Sequence, residues 1–167
     1  MRNVFIFLMI LLVSCNNEAD KTGAEPKPDS LDAATSPFPL EEMSKDSAGT
    51  FLIWYVNSDR KTKKKNPAYD AETPGTDMII RLLNQKYQNI RLDKLRQSGD
   101  TLYTEIRNSE YLGQKMGSFG ATAYIADVVI NLTAPPDINY INISMNAGSH
   151  ISPGVWGEKE FADFKAE

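Results

Sequence analysis

An α+β fold is expected from the sequence: a small mixed sheet with two helices on one face, in the order strand, helix, strand, strand, helix, strand. Three observations predict it. Phe51–Val56 is six consecutive β-prone residues. Two later stretches repeat apolar residues with the 3.6-residue period of a helix. The segments that follow each of these stretches alternate apolar and polar residues with period two.

The elements follow in order. The unbroken run Phe51–Val56 predicts a strand buried on both faces, ended by Asn57-Ser58-Asp59. A long loop is expected next, containing the basic run Arg60, Lys61, Lys63, Lys64 and Lys65 and punctuated by Asn66-Pro67 and Pro74-Gly75. The first helix is expected to start near Thr76 or Asp77, either able to cap it, and to end by Asn89. Ile79, Leu82, Leu83 and Lys86 share one of its faces, with Met78 and Tyr87 widening the stripe. A hairpin of Ile90–Leu95 and Thr101–Ile106 then flanks the turn Gln97-Ser98-Gly99-Asp100. In its second arm Leu102, Thr104 and Ile106 share one face and Tyr103 and Glu105 the other.

The second helix carries the clearest periodicity. Ala121, Tyr124, Ile125, Val128, Val129 and Leu132 form one apolar face, Ser118 is the expected N-cap, and Pro135-Pro136 stops the helix. By the same spacing Asp127 and Asn131 are expected to face solvent. Ile138–Met145 returns as a strand, a glycine-bearing segment spans 147–157, and a short amphipathic end runs from Glu158 to Lys165.

The N-terminus gives a second kind of information. Arg2 is a short basic region, and Val4–Val13 is an apolar run of ten residues. As a helix it would be about 15 Å long, against a hydrocarbon core of about 30 Å. It is therefore expected to be a signal peptide, residues 1–14, and not a membrane span. Leu12-Val13-Ser14-Cys15 is similar to the bacterial lipobox, which implies lipid attachment at Cys15 and a chain anchored to a bacterial membrane. Two or three acyl chains give stable anchoring, at about 0.8 kcal/mol per buried methylene. Asn16, in place of the aspartate associated with inner-membrane retention, favours an outer membrane where the cell has one.

Residues 15–50 are expected to be a disordered acidic tether. From Asn16 to Thr50 there are eight acidic and three basic residues, a net charge of −5. Prolines recur at positions 26, 28, 37 and 39, and aliphatic residues are sparse. A flexible chain of this length spans roughly 30–35 Å. Residues 51–167 form the expected domain, with fourteen residues of each sign. Export and this neutral balance argue against nucleic acid as a partner.

The single cysteine, once acylated, leaves no thiol, and there is one histidine, His150. Cys/His zinc sites and full Ser-His-Asp triads are thereby nearly excluded; no metal or cofactor is expected and no catalytic residue is assigned. Three groups are candidate sites. Ser149, His150 and Ser152 lie in a loop with glycines at both ends, Gly148 and Gly154, and with Trp156 form a candidate ligand loop. Read plainly, the same loop is a well-satisfied connection. Arg60, Lys61, Lys63, Lys64 and Lys65 form a candidate anionic-surface patch, each cation worth about 1 kcal/mol near such a surface before screening; the alternative is a solvated loop. Asp29-Ser30-Leu31 and Asp46-Ser47-Ala48 are similar to the O-glycosylation sequon of some Gram-negative bacteria, with Ser30 and Ser47 as acceptors; Asp100-Thr101-Leu102 has the same form.

From about Phe51 to Ala147 the chain resembles the GerMN (sporulation and spore germination) domain. The resemblance is carried by the opening aromatic strand, by Gly99-Asp100-Thr101-Leu102-Tyr103-Thr104-Glu105-Ile106, and by Ile125–Thr133 followed by Pro135–Ile143. The chain has Asn131-Leu132 where the family more usually has Thr-Leu, and Pro136-Asp137-Ile138 where it has Pro-Gly-Val. The resemblance implies an extracytoplasmic, non-catalytic module that binds an envelope protein or cell-wall component; a sporulation role does not follow from it. The alternative expectation is a small-ligand-binding protein or enzyme using the Gly148–Gly154 loop.

Overall fold

The computed structural model describes residues 51–167. The expectations placed on Cys15, on the tether, and on Ser30 and Ser47 lie outside the described residues. The fold is mixed α+β, as the periodicities predict.

Four strands form the larger sheet: β3 (Leu92–Ser98), β4 (Thr101–Ile106), β5 (Tyr140–Met145) and β6 (Gly154–Gly157), hydrogen-bonded in that order. Labels β1 (Trp54–Asn57), β2 (Thr62–Lys65) and β7 (Lys165–Ala166) name the strands of a second, three-stranded sheet of order β1-β2-β7. The helices are α1 (Thr76–Lys86) and α2 (Gly117–Leu132). β4 and β5 are parallel, joined by the crossover through α2, while β3–β4 and β5–β6 are antiparallel.

The pleat of the larger sheet separates core from surface. Leu102, Thr104 and Ile106 of β4 and Ile141 and Ile143 of β5 are buried, and their alternate neighbours are not. α1 packs against β3 and α2 against β5 and β6, so one face of the sheet is covered. The opposite face carries Tyr103, Asn142, Val155 and the half-exposed Tyr140, with Arg96 stacked over the Tyr103 ring at 3.5 Å.

Several elements differ from expectation, each for a physical reason. The first strand begins at Trp54; Leu52 and Ile53, buried in the core, precede it in a non-strand conformation. The basic segment expected as a loop is β2, paired to β1 in the register Trp54↔Lys65 to Asn57↔Thr62. Lysines are held in this place by partners on the fold: Lys63 Nζ lies 5.0 Å from the Trp54 ring centroid and pairs with Glu158. The β3–β4 turn is the two-residue loop Gly99-Asp100, with Gly99 at φ 58. Glycine at the first position of such a loop supplies the positive φ that matches strand twist. β6 and β7 arise in segments expected as a glycine loop and an amphipathic end.

α2 is the correction with most consequence. It is buried continuously from Tyr124 to Leu132, because β1, β5, β6 and α1 all pack on it. A helix enclosed in this way has no solvent face. Asp127 and Asn131, expected at the surface, are therefore 1% and 0% exposed. Nor does Ser118 cap the helix, whose N-cap position is Met116 with no side-chain cap bond.

Candidate functional site

The two polar residues on α2 build a closed network. Asp127 Oδ2 accepts from Lys86 Nζ at 2.5 Å and from the Tyr87 hydroxyl at 2.8 Å, and Oδ1 accepts from Asn131 Nδ2 at 3.1 Å. Asn131 Oδ1 in turn accepts the Trp54 N–H at 2.8 Å, while Nδ2 donates to the Trp54 carbonyl at 3.3 Å. The amide thus stands where a neighbouring strand would, and fixes β1 to α2. Burial pushes the Asp127 carboxyl above its ordinary range, opposed by Lys86, Tyr87 and Asn131. Burial also raises the Tyr87 and Tyr124 hydroxyls, with the Asp127 charge adding to both. Both carboxylate oxygens of Asp127 are bonded within the fold, so this network holds structure and is not open to substrate.

An open groove of about 370 Å³ lies between α1 and β3. Its helical wall is one stripe of α1: Asp77, Ile80, Arg81, Asn84 and Gln85. The other wall is Arg91–Lys94. The two run antiparallel. Asn84 Nδ2 donates to the Leu92 carbonyl and Asn84 Oδ1 accepts the Leu92 N–H, both at 2.8 Å, while at the far end Lys94 Nζ meets Asp77 Oδ1 at 3.1 Å and Thr76 Oγ1 at 2.9 Å.

Leu92 therefore directs its backbone groups away from β4, toward the helix. β3 is the edge of its sheet, and from Lys94 to Ser98 every residue is exposed. A bulge between Lys94 and Arg96 leaves Leu95 55% exposed. Charge along the groove is mainly positive. Arg91 and Arg107 both engage Asp93, at 3.0 and 2.9 Å, whereas Arg81 forms no ion pair among the described residues.

The residues singled out from sequence fall in two other places. Ser149 donates to the Gly113 carbonyl at 2.8 Å, and Ser118 Oγ lies 3.0 Å from His150 Nδ1, so the loop is bound down on the start of α2. Gly148 and Gly113 touch backbone to backbone: a Cβ on Gly148 would stand 2.6 Å from the Gly113 Cα. Ser152 is exposed on this loop, and Trp156 lies partly buried against the core in β6. Neither they nor His150 line the groove beside α1.

The basic residues are spread over the β1–β2 hairpin. Lys61 pairs with Asp163, Lys63 with Glu158 at 2.5 Å and Lys65 with Asp70 at 3.3 Å. Arg60 and Lys64 form no ion pair among the described residues. The Lys61 hydrogen bond holds the Asp163 carboxyl below its ordinary range.

Sequence reasoning missed both the groove and the Asp127 network. A signal for the network was present: Lys86 continues the apolar stripe of α1, and Asp127 and Asn131 sit four apart in the apolar second half of α2. Among the described residues no three of His, Cys, Asp and Glu cluster as a metal site, and no helix is long and apolar enough to cross a membrane. Comparison with known proteins adds no relative: no family model, curated protein or solved structure matches the chain.

Proposed function

We propose that this chain is a membrane-anchored envelope lipoprotein, held by lipid on Cys15, whose domain is a non-catalytic interaction module binding an envelope protein or cell-wall component. The observation that carries the module reading is the groove between α1 and the exposed edge strand β3. A helix beside an open sheet edge offers main-chain hydrogen bonds for affinity and a side-chain wall for specificity. The anchor reading rests on the run Val4–Val13 followed by Ser14-Cys15. The order strand, helix, strand, strand, helix, strand, retained within the longer series of elements, supports a module of GerMN type.

The test is in cells. Cys15→Ser is expected to abolish incorporation of labelled fatty acid. Retention of label by the Cys15→Ser chain contradicts the anchor. For the module, Arg81→Glu is expected to lose partner complexes formed by the wild-type chain while leaving the fold unchanged. Complexes that survive Arg81→Glu and also edge-strand substitution at Leu95 contradict the groove.

A second reading, a ligand-binding or catalytic loop at Gly148–Gly154, is favoured by the 3.0 Å approach of Ser118 Oγ and His150 Nδ1. A serine-directed fluorophosphonate that labels Ser118 in the wild type but not in His150→Ala would support it. Absence of labelling in both excludes an activated serine.

A further inference from the structure

We infer that the ligand of the α1–β3 groove is an extended acidic segment of a partner protein, added as a further strand to the edge of β3. The inference rests on the module reading above and names the chemistry of the partner at that site. Three features select this occupant.

The first is hydrogen-bonding capacity. β3 ends the order β3-β4-β5-β6, so one side of its backbone faces outward. Asn84 satisfies that side at Leu92 alone, taking both its N–H and its carbonyl. By strand alternation the next outward pair belongs to Lys94, and the exposed edge continues to Ser98.

The second is charge. Arg81, Arg91 and Lys94 line the groove against Asp77 and Asp93, while Arg96 stacks over Tyr103 on the other face of the sheet. Asp93 is occupied by Arg91 and Arg107, and Asp77 by Lys94, which leaves Arg81 facing the groove with no ion pair among the described residues. An entering carboxylate meets that guanidinium first. The same charges disfavour a second copy of this chain, because two β3 edges brought together would set Arg91, Lys94 and Arg96 against their own kind.

The third is shape. The helical wall is tied to the strand by Asn84 at Leu92 and by Asp77 at Lys94, so the added chain follows the free edge from Lys94 to Ser98. Leu95, exposed at the bulge, lies at the open end, where an apolar side chain of the segment has a partner.

The experiment uses the isotopically labelled full chain in detergent and three synthetic probes. One is a capped hexapeptide alternating valine with aspartate or glutamate. The second has lysine in place of every acid. The third is the acidic peptide with alternate amides N-methylated. Only the acidic peptide is expected to bind saturably, moving the amide resonances of Lys94–Ser98 and of Arg81. Arg81→Gln, an exposed change that leaves the fold intact, is expected to weaken it about fivefold, with added salt weakening the wild type similarly. Equal binding of the lysine peptide overturns the charge argument, equal binding of the N-methylated peptide overturns strand addition, and no saturable binding by millimolar concentration overturns both. A dimer formed without peptide, in which the Lys94–Ser98 amide resonances shift, assigns the edge to a second copy and overturns the proposal. Each of these failures is separable from failure of the module reading, which the in-cell comparison of the Arg81→Glu and Leu95 substitutions decides.

Discussion

Asn131→Leu is the most informative single substitution in the fold. It keeps the branched shape of the side chain, in a larger volume, but removes the amide that joins α2 to β1. The Trp54 N–H loses its acceptor at 2.8 Å, and Asp127 loses the donor at 3.1 Å. A buried backbone donor left unpaired costs about 1–3 kcal/mol, and a bond to a charged group contributes about 1.5–3 kcal/mol. New apolar contacts of the leucine return about 1 kcal/mol. The net expectation is a loss of about 2–4 kcal/mol. For a domain of this size that is roughly 6–24 °C in Tm, at about 3–6 °C per kcal/mol. Urea denaturation measures the global loss, and hydrogen exchange at the Trp54 amide measures the local one. Exchange of that amide is expected to accelerate ahead of the α2 amides, because β1 is released first. A loss below about 1 kcal/mol, with the Trp54 amide still protected, would refute the clamp.

Other expectations follow from the same geometry. The folded-state pKa of Asp127 is raised by burial, so the unfolded chain releases this proton first as pH climbs. The carboxyl's contribution is thus full below the unfolded value of about 3.9 and is lost as pH rises through the folded value. Asp127→Asn is expected to flatten that slope in urea melts taken between pH 4 and 7; an unchanged slope contradicts the assignment. Gly148→Ala places a Cβ against the Gly113 backbone and is expected to cost about 1–3 kcal/mol, read by thermal melting, whereas Ser152→Ala on the same loop costs under about 0.5 kcal/mol. For the hairpin, Lys61, Lys63 and Lys65 already face carboxylates, so the Cys15→Ser chain without residues 1–14 is expected to bind anionic vesicles only weakly and in a salt-sensitive manner. Tight, salt-resistant binding to such vesicles would restore the hairpin as a surface-binding patch.

What was legible in the sequence follows from how local each signal is. The apolar spacing of Ala121, Tyr124, Ile125, Val128 and Leu132 gave α2, and the alternation in Thr101–Ile106 gave the buried face of β4. The surface placement of Asp127 and Asn131 failed because a one-stripe reading assumes that a helix keeps a solvent side. That side is taken by β1 and α1, whose positions are set by long-range contacts. β2 was illegible because Thr62-Lys63-Lys64-Lys65 has little strand preference of its own; pairing with β1 and β7 decides it. His150 was legible as a residue but not as a partner of Ser118, thirty-two positions away. The groove was invisible for the same reason, since it exists only where α1 and the edge of β3 lie side by side.

The central claim is that the anchored domain works through that groove. The most direct measurement is photo-crosslinking in intact cells, with a photoreactive residue placed in turn at position 85, which lines the groove beside Arg81, and at 152 on the glycine loop. A discrete adduct is expected from position 85, little from 152, and loss of the adduct when Arg81→Glu is added. Adducts from position 152 with none from 85 would contradict the claim and move the site to the loop of Ser149 and His150.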